Sequence, residues 1–315
     1  MTRTIRVLVA VALTAFVVYQ SDPSKILHAT ARALPGWLAL AILLVLVDRT
    51  LMALRWIDLL GALTPGSRPR FPLVLRIFFV SSFVSNFVSG VAADMYRAYA
   101  LSRHDVRLSE STASVLMDRV LGVLSMVLVG AVALFAARDT GIDRAIVVGL
   151  GITFAGCAAA AAVVFSERAA GLLLSAIDVV PSARIRRISA SLMDAVRRYA
   201  HHHAELGRVL LMSIAVQVLR ILQAWCLGMA LGLTLPLATY FVLLPIILVV
   251  MQIPITINGF GTAQLAFERL FVPAGAPQPE AVALSFLFLI LGLVGTLPGA
   301  LLYAMDDSAP VARTS

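Results

Sequence analysis

The residues of this chain that could do chemistry are ionisable groups set inside long apolar runs: Asp48 and Arg49, Arg76, Asp118 and Arg119, and Arg220. A charge at membrane depth is costly. It normally faces a protein interior or a wet cavity, where it handles a polar or charged ligand. Arg220 lies near the centre of its run, with Gln217 and Gln223 one turn to either side and no nearby acid in its own helix. Such an arginine needs a partner from another element or a ligand anion. Asp118 and Arg119 are adjacent, so on a helix they diverge by about 100° and pair with other elements rather than with each other.

Two further constellations close polar, glycine-broken stretches. The first runs from Asn86 through Ser89, Gly90, Ala92 and Ala93 to Asp94 and Arg97. Its small residues allow close backbone approach. A helix starting near Ala92 would present free N–H groups and a positive dipole end to a phosphate. Arg97 can fork onto a phosphate or a carboxylate, and a local Asp94–Arg97 pair is the structural alternative. The second runs from Pro254 through Asn258, Gly259 and Gly261 to Gln264 and Glu268. There a helix stops, the glycines turn the chain and a half-helix begins, with Gln264 and Glu268 on one face. These glycines would serve packing or a site. No GxSxG, HExxH or P-loop sequence is present, so the expectation is a protein without enzymatic activity and without a cofactor.

The elements that must position these groups are membrane helices. Charged residues make up 13% of 315 positions and hydrophobic ones 60%, with a mean hydropathy of +0.95. A soluble protein carries about 25% charged residues. Eight apolar runs are long enough to consider as spans: 5–19, 34–54, 71–91, 113–137, 145–164, 209–233, 237–257 and 281–305. The polar stretches between them are too short for a soluble domain. The expectation is one transmembrane domain over residues 1–306 and a short tail, 307–315. The run 5–19 follows Arg3 and Arg6 and reads either as a first span or as a signal peptide; the lack of a small-x-small cleavage site favours the span.

The net charge of +8 and the pI of about 10.3 reflect basic cytoplasmic loops facing anionic headgroups, not nucleic acid. Two topologies compete. Eight simple spans, with the basic segment 168–208 inside, would leave both termini and the 55–70 loop outside and satisfy the positive-inside rule poorly. Alternatively, 71–91 and 237–257 are re-entrant or broken helices, because polar, glycine-broken backbone survives at membrane depth only under cover of protein or a wet cavity. Six full spans then remain with both termini inside, and 17 of the 25 basic residues, Arg55 among them, fall on the cytoplasmic side. The order span, span, broken element, span occurs twice in opposite senses, the plan of an inverted repeat. Cysteine labelling checks it: residues 60–70 and 98–110 should react from the same face, and opposite faces would sink it.

The basic stretch 167–208 reads as a cytoplasmic linker. Its Ile185, Ile188, Leu192, Val196 and Tyr199 recur at helical spacing beside Arg184, Arg187, Arg197 and Arg198, as in an interfacial amphipathic helix. It would anchor topology or gather headgroups. His201 to His203 are consecutive and do not converge on a metal, so no metal site is expected. Cys157 and Cys226 lie alone in apolar runs, as small core residues do.

At these motifs the chain resembles the transmembrane family of lysylphosphatidylglycerol synthase/flippase proteins. The resemblance rests on Arg55-Trp56 with Leu59-Leu60, the segment from Asn86 to Arg97, Val115-Leu116-Met117-Asp118-Arg119 with Gly122, and the turn from Pro254 to Gly261. Two positions depart from the family pattern. Ala92-Ala93 stands where the family usually has Gly-Gly, and Gln264 where it usually has Glu, so no acid is carried over to position 264. Larger members join this unit to a soluble aminoacyltransferase domain. None is present up to Ser315, so the resemblance implies a stand-alone member that moves lipids or lipid-linked glycans.

The residues and the resemblance together predict an all-helical, multi-pass protein of the cytoplasmic membrane. It would move an anionic phospholipid or a polyprenyl-phosphate-linked lipid between leaflets. The headgroup site would use Asp94, Arg97, Asp118, Arg119, Gln217, Arg220, Asn258, Gly259 and Gln264. Its partners would be membrane lipids, further copies of itself or a biosynthetic enzyme. The rival readings are a non-transporting accessory or scaffold subunit of lipid or glycan biosynthesis, and a membrane-embedded transferase.

Overall fold

A computed structural model describes residues 30–64, 69–86, 90–104, 106–136, 202–252 and 261–304, together with Ser24, His28, Arg198 and Tyr199. Among them the elements are α1 (Pro35–Leu63), α2 (Phe71–Val84), α3 (Gly90–Ser102), α4 (Leu108–Ala136), α5 (His203–Ala230), α6 (Leu237–Gln252), α7 (Thr262–Phe271), α8 (Gln278–Val294) and α9 (Leu297–Ala304). The chain is thus all-helical over the described residues.

Local chemistry sets several ends. Pro35 and Pro72 sit in the first turns of α1 and α2, where a missing N–H leaves no bond unmade. At the end of α2, Ser81, Ser85 and Asn86 turn their side chains onto the carbonyls of Phe78, Ser82 and Phe83 (2.9, 2.6 and 3.1 Å). Side chains that compete in this way for backbone groups favour a helix terminus.

Among the described residues, four helical stretches are long and apolar enough to cross a membrane: Pro35–Leu63, Leu108–Ala133, His203–Ala230 and Gln278–Tyr303. A span needs about 20 residues. With 14 and 16 residues, α2 and α6 fall short. The two runs read from their polar residues as poor spans are therefore short helices. The runs 5–19 and 145–164, the tail 307–315 and all of the linker helix but Arg198 and Tyr199 lie outside the described residues.

Three boundaries differ from the sequence expectation. The first described span does not stop at 54 but continues to Leu63, because Trp56, Leu59 and Leu60 extend its apolar face; all three are fully buried. Arg55, assigned to a cytoplasmic loop, is consequently a buried helix residue. The end of the basic linker, from His203 to Arg208, forms the first turns of α5. The last run is broken at Gly295 and Thr296, two residues before Pro298, whose ring and missing N–H oppose a continuous helix.

The packing of the helices is invariant when the first half (α1 to α4) is exchanged with the second (α5, α6, α7 and the α8–α9 pair). α1 packs on α2 and α5 on α6. α2 packs on α3 and α6 on α7. α3 packs on α4 and α7 on α8. α2 packs across onto α9, and α6 across onto α4. The α1–α5 contact maps onto itself. Those two helices run antiparallel: Leu34 N–H donates to Ala230 O (2.9 Å) at one end, and Tyr199, just before α5, donates to Leu59 O (2.8 Å) at the other. Burial pushes the Tyr199 phenol pKa up, so it stays a donor. Antiparallel counterparts in an exchange-symmetric packing are the pattern of an inverted repeat.

Close approach in this packing has a visible cause at Gly299. A Cβ there would overlap the backbone carbonyl of Phe79, so only a hydrogen lets α9 lie this near α2. At the same corner Asn86 Nδ2 donates to Thr296 Oγ1 (3.0 Å) and ties the end of α2 to the α8–α9 break.

Candidate functional site

Helices α1 to α6 and α8 enclose a cavity of about 350 Å³. Its ionisable lining comprises Asp48, Asp94, Asp118, Arg49, Arg55, Arg97, Arg119 and Arg220. Five arginines against three aspartates give a formal charge of +2. Ser81, Ser82, Ser85, Asn86, Gln217, Gln223 and Thr296 add neutral polar groups, and apolar side chains such as Val45, Leu248 and Phe288 complete the wall.

The charges fall into three clusters. In the tightest, Asp118 forms an ion pair with Arg55 Nη2 at 2.7 Å and accepts a hydrogen bond from Arg97 Nη2 at 3.1 Å, and all three side chains are buried. Each cation has further support. Arg55 Nη1 donates to Ser213 Oγ (2.9 Å). The Arg97 guanidinium stacks over Trp56 at 4.5 Å and lies 5.7 Å from Phe78, a cation–π arrangement. Trp56 is held by its own bond to Ser114 Oγ (3.0 Å). Gly122 passes beside Arg55, where a Cβ would stand in ordinary van der Waals contact with the guanidinium at 3.9 Å.

The second cluster is at the exposed side. Arg119 clamps Asp94 bidentately, Nε to Oδ2 at 2.8 Å and Nη2 to Oδ1 at 3.1 Å. Its side chain is 55% exposed. Surface-type pairs of this kind contribute only about 0–1 kcal/mol, so it can open at small cost.

The third cluster is loose. Asp48 is fully buried, yet its nearest cations stand at 3.6 Å (Arg220 Nε) and 3.9 Å (Arg49 Nη1). Arg220 Nη2 and Arg49 Nη1 instead meet the Met52 sulfur at 3.4 and 3.7 Å. On the same helix as Arg220, Gln217 Nε2 reaches Gly122 O (3.3 Å) and Ser125 Oγ (3.4 Å). The Gln217 carbonyl and the Gln223 amide nitrogen are buried without hydrogen-bond partners among the described residues.

The structure therefore brings Asp94, Arg97, Asp118, Arg119, Gln217 and Arg220 to one cavity. Asp118 and Arg119 diverge onto different partners, as their adjacency on a helix requires. The local Asp94–Arg97 pair does not form, since each turns to a residue of α4. Gln264 lies apart from these six. It does not line the cavity but is fully buried at the start of α7, where its Oε1 accepts from Gly261 N–H (2.6 Å). Gly261 has φ +83°, the turn that begins the half-helix, and Gln264 serves that turn. Glu268, one turn on, accepts from Gln278 Nε2 (2.8 Å). Asn258 and Gly259 lie outside the described residues.

Three charged residues of the cavity were absent from the predicted site. Asp48 and Arg49 were conspicuous as charges in an apolar run but had no visible partner. Arg55 was counted with a loop because hydropathy alone stopped the helix early. The continuing helical spacing of Trp56, Leu59 and Leu60 was the signal that could have placed it. Among the described residues, no group of three or more His, Cys, Asp and Glu side chains could hold a metal ion.

The family model described as the lysylphosphatidylglycerol synthase TM region matches residues 3–299. No curated protein matches the chain.

Proposed function

Because this chain belongs to the lysylphosphatidylglycerol synthase transmembrane-region family, and is thereby a multi-pass membrane protein of lipid metabolism or translocation, we propose that it moves an anionic lipid between leaflets of the cytoplasmic membrane. The observation that carries this reading is a cavity of charge +2 walled by helices, among them the ones long and apolar enough to cross a membrane. A bare headgroup phosphate is excluded from the bilayer core by its desolvation cost. Guanidiniums already desolvated and held by protein replace its hydration with charge-assisted hydrogen bonds. The acyl chains stay in the bilayer while the headgroup passes. On this reading α2 and α6 are re-entrant elements. The protein needs no cofactor and performs no covalent chemistry.

The scaffold reading draws support from one observation: each aspartate of the cavity has an arginine beside it, as ties between helices would. One experiment separates the two. Purified protein is reconstituted into phosphatidylcholine vesicles carrying tail-labelled phosphatidylglycerol or tail-labelled phosphatidylcholine, and outer-leaflet label is destroyed by dithionite. Transport of an anionic headgroup should accelerate loss of the phosphatidylglycerol label by about tenfold over the zwitterionic lipid, the scale of one charge-assisted hydrogen bond. Rates equal to protein-free vesicles for both lipids would favour the scaffold.

A further inference from the structure

Asp48 and Arg55 are seven residues apart on α1, and Ser213 and Arg220 are seven apart on α5. Asp48 faces Arg220 and Arg55 donates to Ser213, so the antiparallel helices carry these contacts in register. At 1.5 Å per residue the two levels lie about 10 Å apart along the helices. Each level sets one carboxylate between two guanidiniums and so holds one surplus positive charge: Asp48 with Arg49 and Arg220, Asp118 with Arg55 and Arg97.

The levels differ in how well those charges are satisfied. At the Asp118 level both cations contact the acid within 3.1 Å and both are buried. At the Asp48 level neither cation is within hydrogen-bond distance of the acid. Both aim N–H groups at a thioether sulfur, a weak acceptor that a phosphate oxygen would outcompete. Buried atoms without hydrogen-bond partners among the described residues occur at both levels, Asp48 Oδ1, Arg49 Nε and the Gln223 amide nitrogen at this one and Arg55 Nε, Arg97 Nε and Asp118 Oδ1 at the other, so the difference lies in the distance between acid and cation. The side chains of Arg49 and Arg220 remain 19% and 25% exposed.

We propose that the cavity contains two phosphate stations, an open one at Arg49, Arg220 and Gln223 on the α1–α5 pair and a closed one at Arg55 of α1 and Arg97 of α3, and that a single phosphodiester headgroup steps between them. The inference rests on the translocation reading of the same cavity. The step covers about a third of a hydrocarbon core of roughly 30 Å. The phosphates of a diphosphate share one bridging oxygen and cannot span both levels, so each station takes one phosphate. At each level the aspartate is the resident counter-anion. The arriving phosphate displaces it, and it closes on the guanidiniums again when the phosphate leaves. No guanidinium is left bare in the low-dielectric interior at any point, which would be prohibitive.

The test uses the full-length protein in detergent, with dihexanoyl-phosphatidylglycerol as the probe for binding and the vesicle assay above for exchange. Arg49→Gln should weaken binding about tenfold and slow exchange with it. Asp48→Asn, which removes the competing anion from the open station, should tighten binding. Arg97→Gln, or Arg97→Lys if the first is not monodisperse on gel filtration, should bind the probe as the parent does yet lose exchange. Equal loss of binding in the Arg49 and Arg97 variants would mean one site and overturn the two-station arrangement. So would weaker binding by Asp48→Asn. A parent protein that binds the probe with this pattern but exchanges no lipid would instead refute translocation and leave the stations standing.

Discussion

Replacing Asp118 with Ala is expected to destabilise the protein more than any other single change in the cavity. Its carboxylate lies 2.7 Å from Arg55 and 3.1 Å from Arg97, with all three groups buried between α1, α3 and α4. Removing it leaves two desolvated guanidiniums that repel each other across the space it filled. Breaking a buried pair from one side costs about 3–5 kcal/mol, a large share of a total stability of about 5–15 kcal/mol. The cost should appear as a lowered midpoint of thermal unfolding in detergent and as loss of the monodisperse gel-filtration peak. Asp118→Asn should fall between parent and Ala, because the amide oxygen still accepts a hydrogen bond while the charge is gone. An unchanged midpoint for Asp118→Ala would mean that Arg55 and Arg97 find anions elsewhere.

Arg220→Ala is expected to remove lipid exchange while costing less stability. Its contacts are weak: Asp48 at 3.6 Å and a methionine sulfur at 3.4 Å. The guanidinium is therefore not chiefly a tie. Losing a charge-assisted hydrogen bond to phosphate at about 1.5–3 kcal/mol slows exchange about ten- to a hundredfold. One complication has to be separated out. Without Arg220, the buried Asp48 keeps, among the described residues, Arg49 at 3.9 Å, and the stranded carboxylate could itself disturb the cavity. The double variant Asp48→Asn/Arg220→Gln removes that acid along with the cation. If exchange fails for want of the guanidinium, the double variant stays inactive although its thermal midpoint recovers. Recovery of exchange in the double variant would assign Arg220 the role of counter-charge to Asp48 alone.

The sequence by itself determined the material of this protein. Transfer free energies of side chains add along the chain, so the runs that became α1, α4, α5 and the α8–α9 pair were legible as spans. The serines and glycines that shorten α2, and the turn before α7, were legible as breaks. The same additivity made Asp48, Arg49, Asp118, Arg119 and Arg220 stand out, because a charge inside an apolar run needs a reason whatever its neighbours are.

Tertiary structure alone decided who meets whom. Asp118 could have paired with any of several arginines. It takes Arg55 and Arg97 because α1 and α3 both pack on α4. Asp94 ignores Arg97 one turn away and closes on Arg119 across that interface. Gln264 had the chemistry of a headgroup ligand, but the turn at Gly261 uses its side chain as a cap. The physical reason is the same in each case. Hydropathy and helix propensity are properties of a segment, whereas an ion pair depends on the distance between segments. The register of α1 against α5, which stacks Asp48–Arg220 two turns from Arg55–Ser213, exists only once non-adjacent helices have packed.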